Sequence, residues 1–417
     1  PDGDHLEELG GDGAVSWEAT RLGDIIEFSN GVNFDKSSYA PGIKLVNVSN
    51  FGDRLYPDYS ELAEISEDVV KENDYLQNGD IIFVRSNGNK ELVGRCMLIE
   101  NPPMRTTYSG FCIRARIKNR ELFDSKFLTY HFKSGGFRTA MAGNAVGANI
   151  QNLSQGRLSA YTAYIPSIET QRRIADILSA YDDLIENNRK QIKLLEEAAQ
   201  RLYKEWFVDL RFPGYEHTKI TDGVPEGWRK ATVGAASSVL RRGISPRYNE
   251  NGKFVVINQK CIRQTVVTFD ESRRQEKSYP EEMNLQDSDT VICSTGAGTL
   301  GRVGQIFGDY SNTTFDSHVT LIRANEGFGK QYLFQSLKAR QTYLMGMGKG
   351  STNQLELSRG TIQDLDIYVP SKKVLNQFEQ IAQPLHDKIN VISKSIMQLQ
   401  TARDCLLPKL MSGEVEV

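Results

Sequence analysis

Apolar residues recur along this chain in two patterns, and each pattern occurs twice. The first consists of short apolar runs separated by Gly, Asn and Ser, at 81–84, 111–117, 254–257 and 319–322. Such runs predict strands, whereas helical spacing predicts helices at Lys126–Ser134 and Gln331–Arg340. Each half of the chain therefore begins with roughly 150 residues of mixed sheet and helix.

The second pattern is a long apolar stripe with alternating steps of four and three residues, which marks the a and d positions of a coiled coil. Ser167 and Ser371, each following a proline, are the predicted N-caps of the two helices. The first stripe is Ile174, Leu178, Tyr181, Ile185, Asn188, Ile192, Leu195, Ala199, Leu202 and Trp206, and the second is Phe378, Ala382, Leu385, Ile389, Ile392, Ile396, Leu399, Arg403, Leu406 and Leu410.

Two stripes of equal length at corresponding places predict that the helices pair with each other; the alternative is that each helix only covers its own domain. Arg403 is the one residue of the second stripe that departs from an apolar seam. Asn188 is expected to face Ile392 or a neighbour and to set the register. Pro384 predicts a kink or a fresh start within the second helix.

The two halves are copies of one unit. Trp17–Gly23 matches Trp228–Gly234, and Leu76–Asp80 matches Leu285–Asp289. From residue 149 to 207 the offset is a constant 204 residues, with 15 identities in 59 positions. We therefore predict an α+β fold in which two similar mixed-sheet domains are separated by an antiparallel two-helix coiled coil, as an internal pseudo-two-fold repeat. The predicted ranges are an acidic tail or appended segment at 1–15, domains at 16–166 and 217–370, and helical regions at 167–216 and 371–413.

Composition excludes several classes of protein. No apolar run reaches membrane-spanning length, and residues 1–15 have no apolar core typical of a signal peptide. Five separated cysteines and five scattered histidines fit a cytoplasmic protein with no disulfide frame and no metal. The net charge is −3, but residues 81–138 and 229–274 each carry a local +7, which predicts two basic patches suited to nucleic acid.

Motifs of catalysis are missing, so we expect no catalytic residues. Gly346–Thr352 has the wrong spacing for a phosphate loop, and we interpret it as an ordinary loop. Asn101-Pro-Pro-Met104 is similar to the Asn-Pro-Pro-aromatic motif of DNA adenine methyltransferases, but Met104 replaces the ring and no glycine-rich cofactor motif precedes it. We interpret it as a turn between strands.

The duplicated order of motifs closely resembles the specificity subunit of Type I restriction–modification enzymes, from Trp17 to Gly413. The resemblance is carried by Asn78–Arg85 with Val93–Arg95, by Asp287–Ser294 with Leu300–Gly304, and by the repeated helices Ile174–Phe207 and Phe378–Met411. It implies two target-recognition domains, each reading one half of a split double-stranded DNA site. It also implies a non-catalytic chain that docks two methyltransferase subunits and two motor–nuclease subunits, with S-adenosylmethionine, ATP and Mg²⁺ on those partners.

Three alternatives remain to be separated by experiment. A fused methyltransferase needs a cofactor domain for which the chain has no room. A two-headed DNA-binding regulator and a coiled-coil adaptor would use the same architecture without a methyltransferase partner. Exposed charges on the helices, including Arg172, Arg173, Glu196 and Glu197, are candidates for the partner surface.

Polar and basic residues in the loops of the two domains are the candidates for DNA contact. Arg suits guanine edges, Asn suits adenine, and Lys mostly meets phosphate. In the first domain the candidates are Lys36, Arg85, Asn87, Lys90, Arg105 and Asn149, and in the second they are Arg241, Arg242, Arg247, Lys253, Arg302, Lys349 and Asn353.

The helices also predict a spacing between the half-sites. The 32 steps from Ile174 to Trp206 correspond to about 48 Å of helix and about 14 base pairs. We therefore expect half-site centres about one helical turn of DNA apart, with a non-specific gap between them.

Overall fold

The computed structural model describes residues 17–86, 93–142, 152–296, 298–348 and 356–417. The chain divides into two compact units, one formed by Pro1–Asn187 with Ile396–Val417 and the other by Asn188–Ser395. Each unit thus contains one sheet domain and one half of each long helix. None of the described helices has the length and hydropathy of a membrane span.

The elements of the first half alternate short strands with short helices before one long helix. Their bounds are β1 Glu18–Arg21, α1 Leu22–Ile25, β2 Ile26–Asn30, β3 Tyr39–Val46, β4 Ala63–Ile65, β5 Ile81–Val84, β6 Cys96–Leu98, β7 Thr106–Tyr108, β8 Cys112–Ile117, α2 Ser125–Lys133, α3 Gly135–Ala142, α4 Gln155–Ala160, β9 Thr162–Ile165 and α5 Ile168–Tyr203.

The second half repeats this order after a small hairpin. Its bounds are β10 Ile220–Thr221, β11 Val224–Pro225, β12 Arg229–Thr232, β13 Ser237–Arg242, β14 Phe254–Ile257, β15 Arg273–Gln275, β16 Thr290–Cys293, β17 Val303–Gln305, β18 Thr313–Phe315, β19 Val319–Ala324, α6 Lys330–Lys338, α7 Gln341–Gly346, α8 Arg359–Gln363, β20 Asp366–Val369 and α9 Lys372–Met411. The two predicted mid-domain helices are α2 and α6, each displaced by only a residue or two.

Strand order confirms the internal repeat. The four-stranded sheet is β2-β8-β5-β6 in the first unit and β13-β19-β16-β17 in the second. The three-stranded sheet is β4-β3-β7 and then β15-β14-β18, and in both it is mixed because its last pair is parallel. A two-stranded sheet, β1-β9 or β12-β20, leads into each long helix. The turn predicted at Asn101–Met104 lies between β6 and β7, where Asn101 has a φ of 43°.

A buried ion pair explains why one short motif recurs in both halves. Asp80 accepts a hydrogen bond from Gln77 N–H at 2.7 Å and pairs with Arg116 of β8 at 2.7 Å. Asp289 does the same with Gln286 N–H at 2.8 Å and with Arg323 of β19 at 2.7 Å. Each carboxylate is almost inaccessible to solvent, so it requires both partners.

The long helices pack antiparallel within each unit. In the first unit Asp182 pairs with Arg403, whereas in the second Asn188 Nδ2 donates to Ser395 Oγ at 3.4 Å. None of the predicted seam residues is exposed. Ser167 and Ser371 are N-caps as predicted, because each hydroxyl accepts a hydrogen bond from the N–H three residues later.

The prediction that a new helix starts at Pro384 is wrong. Helix α9 is continuous from Lys372 to Met411. Pro384 lies on the exposed side, so the loss of one backbone hydrogen bond falls where water can replace it. Ala382 and Ile389, before and after it, remain buried in the seam.

Candidate nucleic-acid interface

In the first unit, four chain segments meet where β2 and β5 end and β8 begins. Arg85 lies at their centre: its N–H donates to Phe111 O at 2.8 Å, and its carbonyl accepts from Leu153 N–H at 2.9 Å. Bridges join Val32 to Ser109 and Ser86 to Asn152. We call segments 31–33, 85–86, 109–111 and 152–153 the first loop cluster.

The second unit builds the same backbone arrangement with different side chains. Ser294 N–H donates to His318 O at 2.8 Å, and Ser294 O accepts from Leu357 N–H at 2.9 Å. The corresponding bridges join Ile244 to Asp316 and Thr295 to Glu356. Segments 242–244, 294–296, 316–318 and 356–357, of which all residues are described, form the second loop cluster.

A close backbone approach requires glycine at the same place in both clusters. A Cβ atom on Gly31 would overlap the carbonyl oxygen of Tyr108, and one on Gly243 would overlap the carbonyl oxygen of Asp316. In the first unit, the segment after β2 therefore lies directly against the loop that precedes β8. In the second unit, the segment after β13 lies in the same way against the loop that precedes β19. This contact fixes the position of the loops relative to the sheet.

In the first loop cluster, a cation and an aromatic ring lie on adjoining segments. Arg85 is half-buried, and its Nη1 donates to Gly110 O at 3.3 Å. Phe111, which follows Gly110 in the chain, has 60% of its surface exposed. A guanidinium can donate to a guanine edge, and a phenyl ring can contact a thymine methyl group.

The second loop cluster carries a denser polar network. Arg242 Nε donates to Ser317 O at 2.6 Å, and its guanidinium pairs with Glu356. Thr295 Oγ1 and His318 Nδ1 share a hydrogen bond of 2.6 Å. Burial raises the pKa of the Asp316 carboxyl, against the opposing effect of the hydrogen bond from His318 N–H. This network combines hydrogen-bond donors and acceptors, whereas the guanidinium of Arg85 offers donors alone.

Several sequence candidates lie away from the clusters. Arg105 is at the opposite end of β7, where it pairs with Glu67 and stacks over Tyr75 at 4.1 Å. Arg241 pairs with Glu282. The others are Lys36, exposed in a short 3₁₀ turn five residues after Gly31; Arg247, 3.5 Å from Glu276; Lys253, 5.5 Å from the Phe254 ring; and Arg302, half-buried, whose carbonyl accepts from Cys293 N–H at 2.9 Å.

Five further candidates, Asn87, Lys90, Asn149, Lys349 and Asn353, lie outside the described residues. Part of the predicted loop Gly346–Thr352 does as well. In the described part of the chain, no group of His, Cys, Asp and Glu side chains has the geometry of a metal site.

The basic segments are less basic on the surface than their sequence charge suggests. In 81–138, Arg116 pairs with Asp80 and Arg105 with Glu67. In 229–274, Lys230 pairs with Asp366 at 2.8 Å. The partner acids come from other segments, so a local sum of charges does not predict a surface patch. Likewise Glu196 is not a freely exposed helix charge: burial raises its pKa, and Lys338 lies near it.

The loop clusters also contain Phe111, Thr295, His318 and Glu356, which are not among the candidates predicted from the sequence. Their types carry no DNA-binding signal by themselves. A signal does exist in the repeat: Phe111 and His318 occupy one position at an offset of 207, as do Asn152 and Glu356 at 204. If the two copies have different specificities, we expect their residue types to differ at such equivalent positions of the shared backbone.

Comparison with known proteins agrees with this architecture. Residues 14–197 match the family model described as the Type I restriction modification DNA specificity domain. The MjaIX specificity subunit of Methanocaldococcus jannaschii is 26% identical, with 96% of this chain and 94% of the relative covered. The EcoKI specificity subunit of Escherichia coli K12 is 22% identical, with 92% and 84% covered.

A solved structure shows the same fold. The S subunit of a Type I restriction–modification system from M. genitalium has 17% sequence identity and a TM-score of 0.53, with 97% of each chain covered. This fold carries the same loop cluster in each of two similar units. Over most of its length the chain is similar to Type I restriction–modification specificity subunits, and residues 14–197 match their DNA specificity domain.

Proposed function

We propose that each unit reads one half of a bipartite site in double-stranded DNA, and that the chain itself catalyses no reaction. The observation that carries this proposal is the duplicated loop cluster: the same backbone bonds surround Arg85 and Ser294, but the side chains differ. A shared frame with different donors and acceptors is suited to reading two different short sequences.

The partner subunits are part of the same proposal. Each unit contains an antiparallel pair of segments from α5 and α9, so the chain offers two similar helical surfaces. We propose that these surfaces dock two methyltransferase subunits, with two motor–nuclease subunits added in the complete enzyme. S-adenosylmethionine, ATP and Mg²⁺ would then be bound by those partners, in the cytoplasm where the DNA lies.

The test of half-site reading is a set of three matched variants. Arg85→Ala should cost about 1–3 kcal/mol at one base position of the first half-site only. Arg242→Ala should act in the same way on the second half-site. Lys118→Ala is the control, because Lys118 follows β8 at the end remote from the loop cluster, where its Nζ bonds to Gly23 O at 2.9 Å.

The readout is DNA affinity and methylation mapping of the chain with and without a methyltransferase subunit. Loss in the expected half-site for Arg85→Ala and Arg242→Ala, with Lys118→Ala unchanged, supports the proposal. Full sequence-specific binding and activity without any partner would favour a two-headed regulator. No DNA binding under any condition, with the partner complex intact, would favour a coiled-coil adaptor.

A further inference from the structure

In the first unit, the connection from β7 to β8 is a β-turn whose third residue, Phe111, is held at both of its backbone polar groups. Cys112 N–H donates to Ser109 O at 2.8 Å and closes the turn. Phe111 N–H donates to Ser109 Oγ at 3.2 Å, and Phe111 O accepts from Arg85 N–H at 2.8 Å. The backbone of Phe111 is therefore fixed, whereas its side chain is exposed.

The second unit holds His318 in the same way, in the turn from β18 to β19. Val319 N–H donates to Asp316 O at 3.0 Å, and His318 N–H donates to Asp316 Oδ1 at 2.9 Å. His318 O accepts from Ser294 N–H at 2.8 Å. Asp316 differs in type from its counterpart Ser109, but both accept the same hydrogen bond within the turn. What differs at the surface is the exposed side chain of the third residue, a phenyl ring in one unit and an imidazole in the other.

A guanidinium lies against each turn, although it comes from a different strand in each unit. Arg85, which follows β5, donates from Nη1 to Gly110 O at 3.3 Å. Arg242 of β13 donates from Nε to Ser317 O at 2.6 Å. Both carbonyls belong to the second residue of the turn, directly before the exposed side chain. The third residue therefore lies beside the arginine that we propose to contact DNA in that unit.

We propose that the third residue of this turn determines the base at one position of each half-site. Phe111 selects a thymine through its methyl group, and His318 selects a base through a hydrogen bond. The proposal rests on the proposed function, since each loop cluster must face the bases of DNA. In the major groove, the methyl group of thymine is the apolar feature of a base edge, and a phenyl ring offers apolar contact alone. An imidazole offers ring nitrogens instead, and Thr295 Oγ1 orients the ring through its hydrogen bond of 2.6 Å to His318 Nδ1.

The fixed backbone of the turn suits it to this role. A side chain on a preorganised turn gives up little conformational freedom when it binds, so a change of side chain alters the base preference and leaves the shape of the loop intact. Because the same backbone bonds hold both turns, each side chain should also act in the turn of the other unit.

The experiment is a reciprocal exchange, Phe111→His and His318→Phe, in the full chain together with a methyltransferase subunit. The preferred site of each protein is selected from random duplexes, and each thymine in it is then replaced singly by deoxyuridine, which lacks the methyl group. In the wild type, one thymine of the first half-site should be sensitive, with a loss in affinity of about fourfold, which corresponds to ~0.8 kcal/mol for burying one group of CH₂ size.

Phe111→His should abolish this sensitivity, and His318→Phe should select a thymine in the second half-site that is sensitive in the same way. Tyr164→His is the matched control and should leave both half-sites unchanged. Tyr164 is an aromatic residue of β9 with a similar exposure, 52%, and it lies outside the first loop cluster.

The proposal is overturned if no thymine of the first half-site is sensitive in the wild type, or if either exchange leaves the base preference of its half-site unchanged. An exchange that weakens all sequences alike also overturns it, because the side chain would then position the DNA and read no base. A wild-type chain that binds DNA with no sequence preference would refute the proposed function itself. Specific binding with unaltered preferences in both variants would refute only the role of this turn.

Discussion

Arg403 interrupts the apolar seam of the first unit, and its removal should be strongly destabilising. The Arg403 side chain is only 8% exposed and pairs with Asp182, which is buried and also accepts a hydrogen bond of 2.6 Å from Tyr130 Oη. Although burial alone would lower the pKa of Arg403, the charges of Asp182 and Asp53 raise it. Arg403 is therefore positively charged at neutral pH.

The magnitude follows from which carboxylate is left behind. Asp53 and Asp404 have side chains 58% and 60% exposed, so each contributes about 0.2–1 kcal/mol at most. Arg403→Ala leaves the Asp182 carboxylate buried with one hydroxyl donor, which should cost about 3–5 kcal/mol. Replacing Arg403 and Asp182 by Leu, with Tyr130→Phe, restores the apolar seam and should recover most of that loss.

The assay is urea unfolding combined with hydrogen exchange resolved by peptide. Protection should fall in the first unit, in 168–187 and 396–411, while peptides from 254–324 serve as an internal control for the second unit. An Arg403→Ala variant within about 1 kcal/mol of wild type would refute the argument. So would a triple apolar variant as unstable as Arg403→Ala.

Three further predictions test other parts of the molecule. Burial lowers the pKa of His131 to about 4 from an ordinary 6.5, so the stability that depends on its neutral form is complete above about pH 6.5. This stability falls by up to roughly 3 kcal/mol as the pH drops toward 4. His131→Leu should flatten the resulting difference in urea midpoints between pH 7 and pH 5, and an unchanged pH dependence would contradict the prediction. Inserting one heptad after Asn187 and one after Ser395 should lengthen the preferred gap between half-sites by about 10 Å, or about three base pairs, in a methylation map; an unchanged gap would exclude the helices as a ruler. Replacing residues 217–370 with the corresponding domain of a relative should rewrite one half-site and preserve the other half-site, the gap and partner binding; changes in both half-sites would show that recognition is not divided between the units.

Local patterns in the sequence were sufficient for the elements and for the repeat. The heptad stripes, the N-caps Ser167 and Ser371 and the apolar runs of β5 and β19 each depend on residues within a few positions of one another. The constant offset of 204 from residue 149 to 207, together with the matched motifs before it, predicts that both halves adopt the same fold. These features are encoded by spacing, and spacing is visible without a structure.

The partners of buried and charged side chains required the tertiary structure. In the sequence, Arg403 is a charged residue at a heptad position that is otherwise apolar. Only the fold brings Asp182, 221 residues away, into contact with it. The two basic segments read as DNA-binding patches, but acids from distant segments neutralise many of their cations. The loop clusters join residues far apart in the chain: a bridge links Ser86 to Asn152, 66 residues away, in one unit, and Thr295 to Glu356, 61 residues away, in the other. Spacing determines which face of a helix or strand is apolar, but the path of the whole chain decides which distant side chain meets it.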